Sequence, residues 1–94
     1  MATPLGRFYI FHNPQVSRSA EVARHIERHL LQHSGTDAQC VVVSDVDQRP
    51  LHDAGMLLAV GGDGTMLRVG RVGARLGCPV LGFNLGQVPQ ETST

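Results

Sequence analysis

One stretch of the chain combines residue types that can do chemistry. In Ala59-Val60-Gly61-Gly62-Asp63-Gly64-Thr65-Met66-Leu67, an apolar run ends in three glycines around one aspartate and passes at once into a helical pattern. Glycine allows close backbone approach to a ligand, and a helix start offers unpaired N–H groups with a partial positive charge. Gly61, Gly62 and Gly64 thus form a candidate phosphate cradle, with Thr65 as a helix cap or a further hydroxyl donor. A carboxylate beside bound phosphate is repelled unless a metal bridges them or its own partner is a hydroxyl. Asp63 is therefore the candidate proton acceptor for an attacking alcohol. Cradle plus acceptor is the equipment of phosphoryl transfer, in which a protein mainly positions groups and screens charge. The competing reading is a tight strand-to-helix turn whose aspartate satisfies local amides. Placement at the carboxyl end of a strand, where open α/β sheets bind ligands, favours function. The dinucleotide fingerprint fails, because Gly62-x-Gly64 would need glycine or alanine where Leu67 stands. Arg68, with Thr65 as cap, falls in the first helical turn, where a cation opposes the helix dipole by about 0.3–1 kcal/mol unless an anion is bound. A solvated arginine explains it equally well.

The elements that must position this turn follow from apolar spacing. Phe8-Tyr9-Ile10-Phe11 reads as a strand closed by His12-Asn13-Pro14. From Ser17 to Ser34, Val22, Ala23, Ile26, Leu30 and Leu31 recur at helical intervals, with Ser17 or Ser19 as cap and Gly35 as stop. Ala38 to Ser44 and Met56 to Val60 read as strands buried on both faces, joined by a linker too short for a full crossover helix. Thr65 to Leu76 predicts a second helix ended by Gly77, and Pro79 to Phe83 a last strand. Gly70 and Gly73, each costly in a helix, predict a close packing contact. The fold class expected is α/β, a layered domain around a parallel, Rossmann-like sheet. His12 and Asn13 would share the sheet edge of the glycine turn and are candidate nucleotide contacts, although turn formation also accounts for Asn13.

Composition narrows the chemistry. The 94 residues carry eight acidic and eight basic side chains, all of the latter arginine, so lysine-dependent phosphate loops and Schiff bases are excluded. Balanced charge and 4% aromatic content argue against a nucleic-acid partner, and no apolar run suits a signal segment or a membrane span. The expectation is a cytoplasmic protein with no membrane partner, its Cys40 and Cys78 reduced and packed.

The glycine stretch together with Pro79-Val80-Leu81-Gly82-Phe83-Asn84-Leu85-Gly86 resembles the amino-terminal half of ATP-dependent NAD kinases, a phosphofructokinase-like fold. The first box is shared with diacylglycerol and sphingosine kinases. The second separates them, since lipid kinases continue toward a PLGTGN-like segment. The resemblance implies transfer of the γ-phosphate of ATP, with Mg2+, to the 2′-hydroxyl of NAD, forming NADP. It makes Asp63 the acceptor of that hydroxyl's proton and puts Gly61, Gly62, Gly64 and Thr65 against the nucleotide phosphates. Asn84 and Gly86 would lie near the same cleft, Asn84 without a definite role. Where the family continues with a segment like RLGFLT, this chain has Gln87-Val88-Pro89-Gln90-Glu91-Thr92, so Gln90 replaces an adenine-holding phenylalanine. Residues 1–86 would be the family's α/β domain and 87–94 a disordered tail. The carboxyl-terminal β domain, with its NAD contacts and homo-oligomer interface, would be absent and the isolated chain close to inactive. The alternatives are a non-catalytic nucleotide-binding or assembly module and a lipid kinase fragment.

His25, His29 and His33 recur every four residues. Such steps drift around a helix, so the three read as a solvated face with no metal site.

Overall fold

The computed structural model describes residues 6–33, 36–48 and 50–85. Four parallel strands lie in the order β2-β1-β3-β4, with β1 at Arg7–His12, β2 at Asp37–Val42, β3 at Ala54–Gly61 and β4 at Val80–Asn84. Helix α1 (Ser19–Leu31) links β1 to β2, and helix α2 (Asp63–Leu76) links β3 to β4. The Gly35 stop and the tail from Gly86 onward lie outside the described residues. No helix among the described residues is long and apolar enough to cross a membrane.

Strand alternation divides the core into two layers. Tyr9 and Phe11 of β1, with Val41, Leu57 and Ala59 of its neighbours, face α2 and pack against Met66, Val69 and Val72. Ile10, Leu58 and Val60 face α1 and meet Val22, Ala23, Ile26 and Leu30. Phe11 and Ile10 are fully buried, each worth about 1.5–3 kcal/mol against exposure. The α/β expectation holds, and so do the apolar stripes on both helices except at Leu31, Leu67 and Leu76, which are about half exposed. At the sheet's margin β4 is less covered, leaving Leu81 half exposed.

Several boundaries differ from the sequence reading. Val43 and Ser44 leave β2 for a 3-10 turn over Val43–Asp45, and this turn with its flanking loop carries the chain past β1 to β3 in place of a crossover helix. Arg18, not a serine, occupies the N-cap of α1, in the left-handed region at φ 68° and without a side-chain cap. Ser19 is instead fully buried: its hydroxyl donates to the Val60 carbonyl at 2.8 Å and accepts from the Asn13 amide at 3.0 Å. One side chain thus ties the end of β1, the start of α1 and the end of β3 together. At the opposite edge Tyr9 donates to Asp53 at 2.7 Å and Arg7 pairs with Asp37 at 2.8 Å, fastening both neighbours to β1 far from the glycine turn.

The two helical glycines separate. A Cβ on Gly73 would run into the Val80 side chain and sit 2.9 Å from the Cys78 carbonyl oxygen, whereas one on Gly70 meets nothing within 4 Å. Among the described residues the expected close contact exists at Gly73, and Gly70 is left for a partner outside them. Gly73→Ala is expected to lower stability by about 1–3 kcal/mol, because a backbone carbonyl cannot step aside. Gly70→Ala should raise it by about 0.8–1.0 kcal/mol through helix propensity, and urea unfolding of the two variants gives the opposite signs directly.

Candidate functional site

Strands β1 and β3 lie side by side, yet their connections leave in opposite directions, to β2 on one side and β4 on the other. Their carboxyl ends form the topological switch point, where the crevice of an open α/β sheet opens. Asn13 follows β1 there, Gly61 closes β3 and Gly62 follows it.

Gly62 is the N-cap of α2, and the helix begins at Asp63, two residues earlier than the spacing indicated. Thr65 is therefore not the cap, and Arg68 lies beyond the first turn. At this end the Met66 amide donates to the Gly62 carbonyl at 3.1 Å. The amides of Asp63, Gly64 and Thr65 are thus the donors left over at the helix start, and no side chain among the described residues caps them. Gly61 must be glycine for a packing reason: a Cβ there would lie 2.5 Å from Thr65 Oγ1. Gly64 has no such constraint, since a Cβ on it meets no atom within 4 Å and its φ is not in the left-handed region.

Next to these donors is a cavity of about 260 Å³ lined by Asn13, Val43, Gly62, Gly64, Thr65 and Arg68. The buried Thr65 Oγ1 has no hydrogen-bond partner among the described residues. An unsatisfied buried hydroxyl ordinarily costs about 1–3 kcal/mol, so this one is suited to an oxygen-bearing ligand. Arg68 pairs with Asp47 at 3.1 Å, both side chains about half exposed, and such a pair contributes only about 0.2–1 kcal/mol. Asp47 comes from the irregular crossover and had no signal in the sequence.

Asp63 is exposed, between two glycines that line the cavity, and its Oδ1 accepts a hydrogen bond of 2.6 Å from the Asn84 amide. Asn84 ends β4 opposite Gly61, and the Leu85 amide donates to the Gly61 carbonyl at 2.7 Å. The two boxes thus meet through backbone and side chain. Gly86 lies outside the described residues. Among the described residues no cluster of three or more histidine, cysteine, aspartate or glutamate side chains gathers to hold a metal.

His12 does not join this cavity. It is buried, and its Nδ1 has no partner among the described residues. Burial, with Arg24 nearby as a lesser cause, holds its pKa below the ordinary 6.5. The unfolded chain therefore takes up this proton first. His12's contribution makes stability full above about pH 6.5 and lets it fall as the pH drops toward the native pKa. The decline in urea midpoint between about pH 6.5 and 5 should be shallower in His12→Gln than in the unaltered chain.

The model of the ATP-NAD kinase N-terminal domain matches residues 42–89, about half of the chain. The chain belongs to the ATP-NAD kinase family. It is 61% identical over 36 residues to an NAD kinase of Nitratidesulfovibrio vulgaris (strain DP4), a stretch covering 38% of this chain and 12% of that protein. An NAD kinase of Moorella thermoacetica is 59% identical over 32 residues, 34% of this chain and 10% of the relative. One of Mycobacterium bovis is 40% identical over 48 residues, 51% of this chain and 16% of the relative. The chain thus matches only a small share of these relatives' length. No solved structure matches it. The family match spans both boxes and the crossover that carries Asp47, whereas Asn13 and Ser19 join the site from outside it.

Proposed function

We propose that this chain forms one wall of an NAD kinase cleft, in which the γ-phosphate of ATP passes to the 2′-hydroxyl of NAD to give ADP and NADP. The observation that carries the reading is Asp63 held by Asn84 at the rim of a glycine turn whose helix amides are uncapped. In this reading the amides of Asp63, Gly64 and Thr65, with the Thr65 hydroxyl, bind phosphate oxygens by dipole and hydrogen bond. Arg68 exchanges its weak pairing with Asp47 for the incoming anion, and Asn13 contacts it from the neighbouring strand. Gly61 and Gly62 shape the turn, and Gly86 continues the second box. Asp63 takes the hydroxyl proton as the 2′-oxygen bonds to the γ-phosphorus and the bond to the β-phosphate oxygen breaks.

Mg2+ would arrive on ATP, held by the substrate phosphates and water, which leaves Asp63 for the hydroxyl proton. When bound it would screen the charge of the phosphates. The reading extends to a cytoplasmic homo-oligomer completed by a β-rich domain.

A second reading, a module that binds nucleotide without turnover, draws on that same short coverage. A graft of residues 42–89 into the Nitratidesulfovibrio vulgaris enzyme, assayed for NADP formation, distinguishes the two. A graft that binds Mg-ATP by calorimetry but forms no NADP favours the module. The lipid-kinase alternative has lost its support, since each relative reported is named an NAD kinase.

A further inference from the structure

We propose that His29 and His33 form a two-imidazole site for a divalent transition-metal ion such as Zn2+, Ni2+ or Cu2+ at the carboxyl-terminal end of α1. Sequence spacing alone leaves His25, His29 and His33 equivalent, and the ring geometry selects two of them. The Nε2 atoms of His29 and His33 are 3.5 Å apart, with ring centroids 5.1 Å apart and planes at 75°. Two Zn–N bonds of about 2.0–2.1 Å at a tetrahedral angle hold their nitrogens about 3.3 Å apart, so the pair already has nearly the required bite. Imidazole nitrogen suits these borderline cations.

Both rings are exposed, which leaves the remaining coordination positions to water. His25 is four residues before His29, and the drift of about 40° per four-residue step turns it away from a common centre. Arg28 shares a shallow cavity with His25, His29 and Gln32, and its charge limits the affinity for any cation.

The site also bears on local order. His29 lies in the last turn of α1, whereas His33 lies beyond the Gln32 cap, its amide donating to the Leu30 carbonyl at 3.1 Å. A bridging ion therefore clamps the helix end, and the unfolded chain offers no preformed pair to compete.

The test is titration of the 94-residue chain with zinc or nickel chloride, followed by imidazole NMR and calorimetry. The signals of His29 and His33 are expected to move together along one saturating curve while those of His12, His25 and His52 stay in place. His29→Ala and His33→Ala should each weaken binding by about tenfold or more, and His25→Ala should leave it unchanged. The proposal is overturned if the two rings respond separately, if neither variant weakens binding, or if His25→Ala is as damaging as the others. Should a variant fail to fold, the joint movement of the two rings in the unaltered chain decides alone.

Discussion

In the graft of residues 42–89 into the Nitratidesulfovibrio vulgaris enzyme, Asp63→Asn is expected to lower kcat for NADP formation by about 10²–10⁴-fold, the usual worth of general-base catalysis. The substitution keeps the size of the side chain and its place at the start of α2, so it removes the proposed proton acceptor while sparing the fold. The carboxylate at the first helical position gains about 0.3–1 kcal/mol from the dipole, and that is the largest stability loss the change should bring. Asn84 sharpens the test. Its amide donates to Asp63 Oδ1 at 2.6 Å and so fixes that carboxylate oxygen. Asn84→Ala should therefore reduce kcat less than Asp63→Asn does, through loss of position alone. Full activity in the Asp63→Asn graft would remove Asp63 from the chemistry, whatever its place in the cleft.

Gly64→Ala is expected to make the chain more stable and the site worse. At the second helical position, alanine in place of glycine gains about 0.5–1 kcal/mol, and the added methyl meets no atom within 4 Å. That empty space borders the cavity beside the unpaired amides. A phosphate oxygen must come within about 2.9 Å of those N–H groups, whereas a methyl carbon keeps it at about 3.5–4 Å. Mg-ATP affinity, measured on the chain by calorimetry, should fall by about tenfold or more, equal to about 1.4 kcal/mol. Urea unfolding of the same sample should show the gain in stability. A variant that is stabilised and binds as before would mean that phosphate does not approach Gly64. Gly61 makes the contrast, since Thr65 packs against it and its replacement by alanine disturbs the turn itself.

Much of the architecture was legible because burial writes itself into spacing. The continuous apolar run before Gly61 and the helical recurrence of Met66, Val69 and Val72 follow from an inner strand with a helix on each face of its sheet. Gly77 could be read as a left-handed cap, and it adopts φ 68°. Errors gathered where chain ends are set by tertiary contacts. Ser19 has the composition of a cap, yet its hydroxyl serves the Val60 carbonyl, forty-one residues away. His12 looked like a partner of Asn13 at the functional edge, but strand alternation turns successive side chains to opposite faces, and only Asn13 reaches the cavity.

By itself the sequence determined the elements, the glycine turn at a strand's carboxyl end and the family to which both boxes point. It could do so because periodicity, glycine and helix capping are local properties of the backbone. Only the tertiary structure decided that β3 lies beside β1 with β4 outside it, and hence that Asn84 reaches Asp63, that Asp47 meets Arg68, and that Ser19 joins three elements. Those pairings depend on strand order and register, which apolar patterning leaves open because every buried strand presents a similar face to its neighbour.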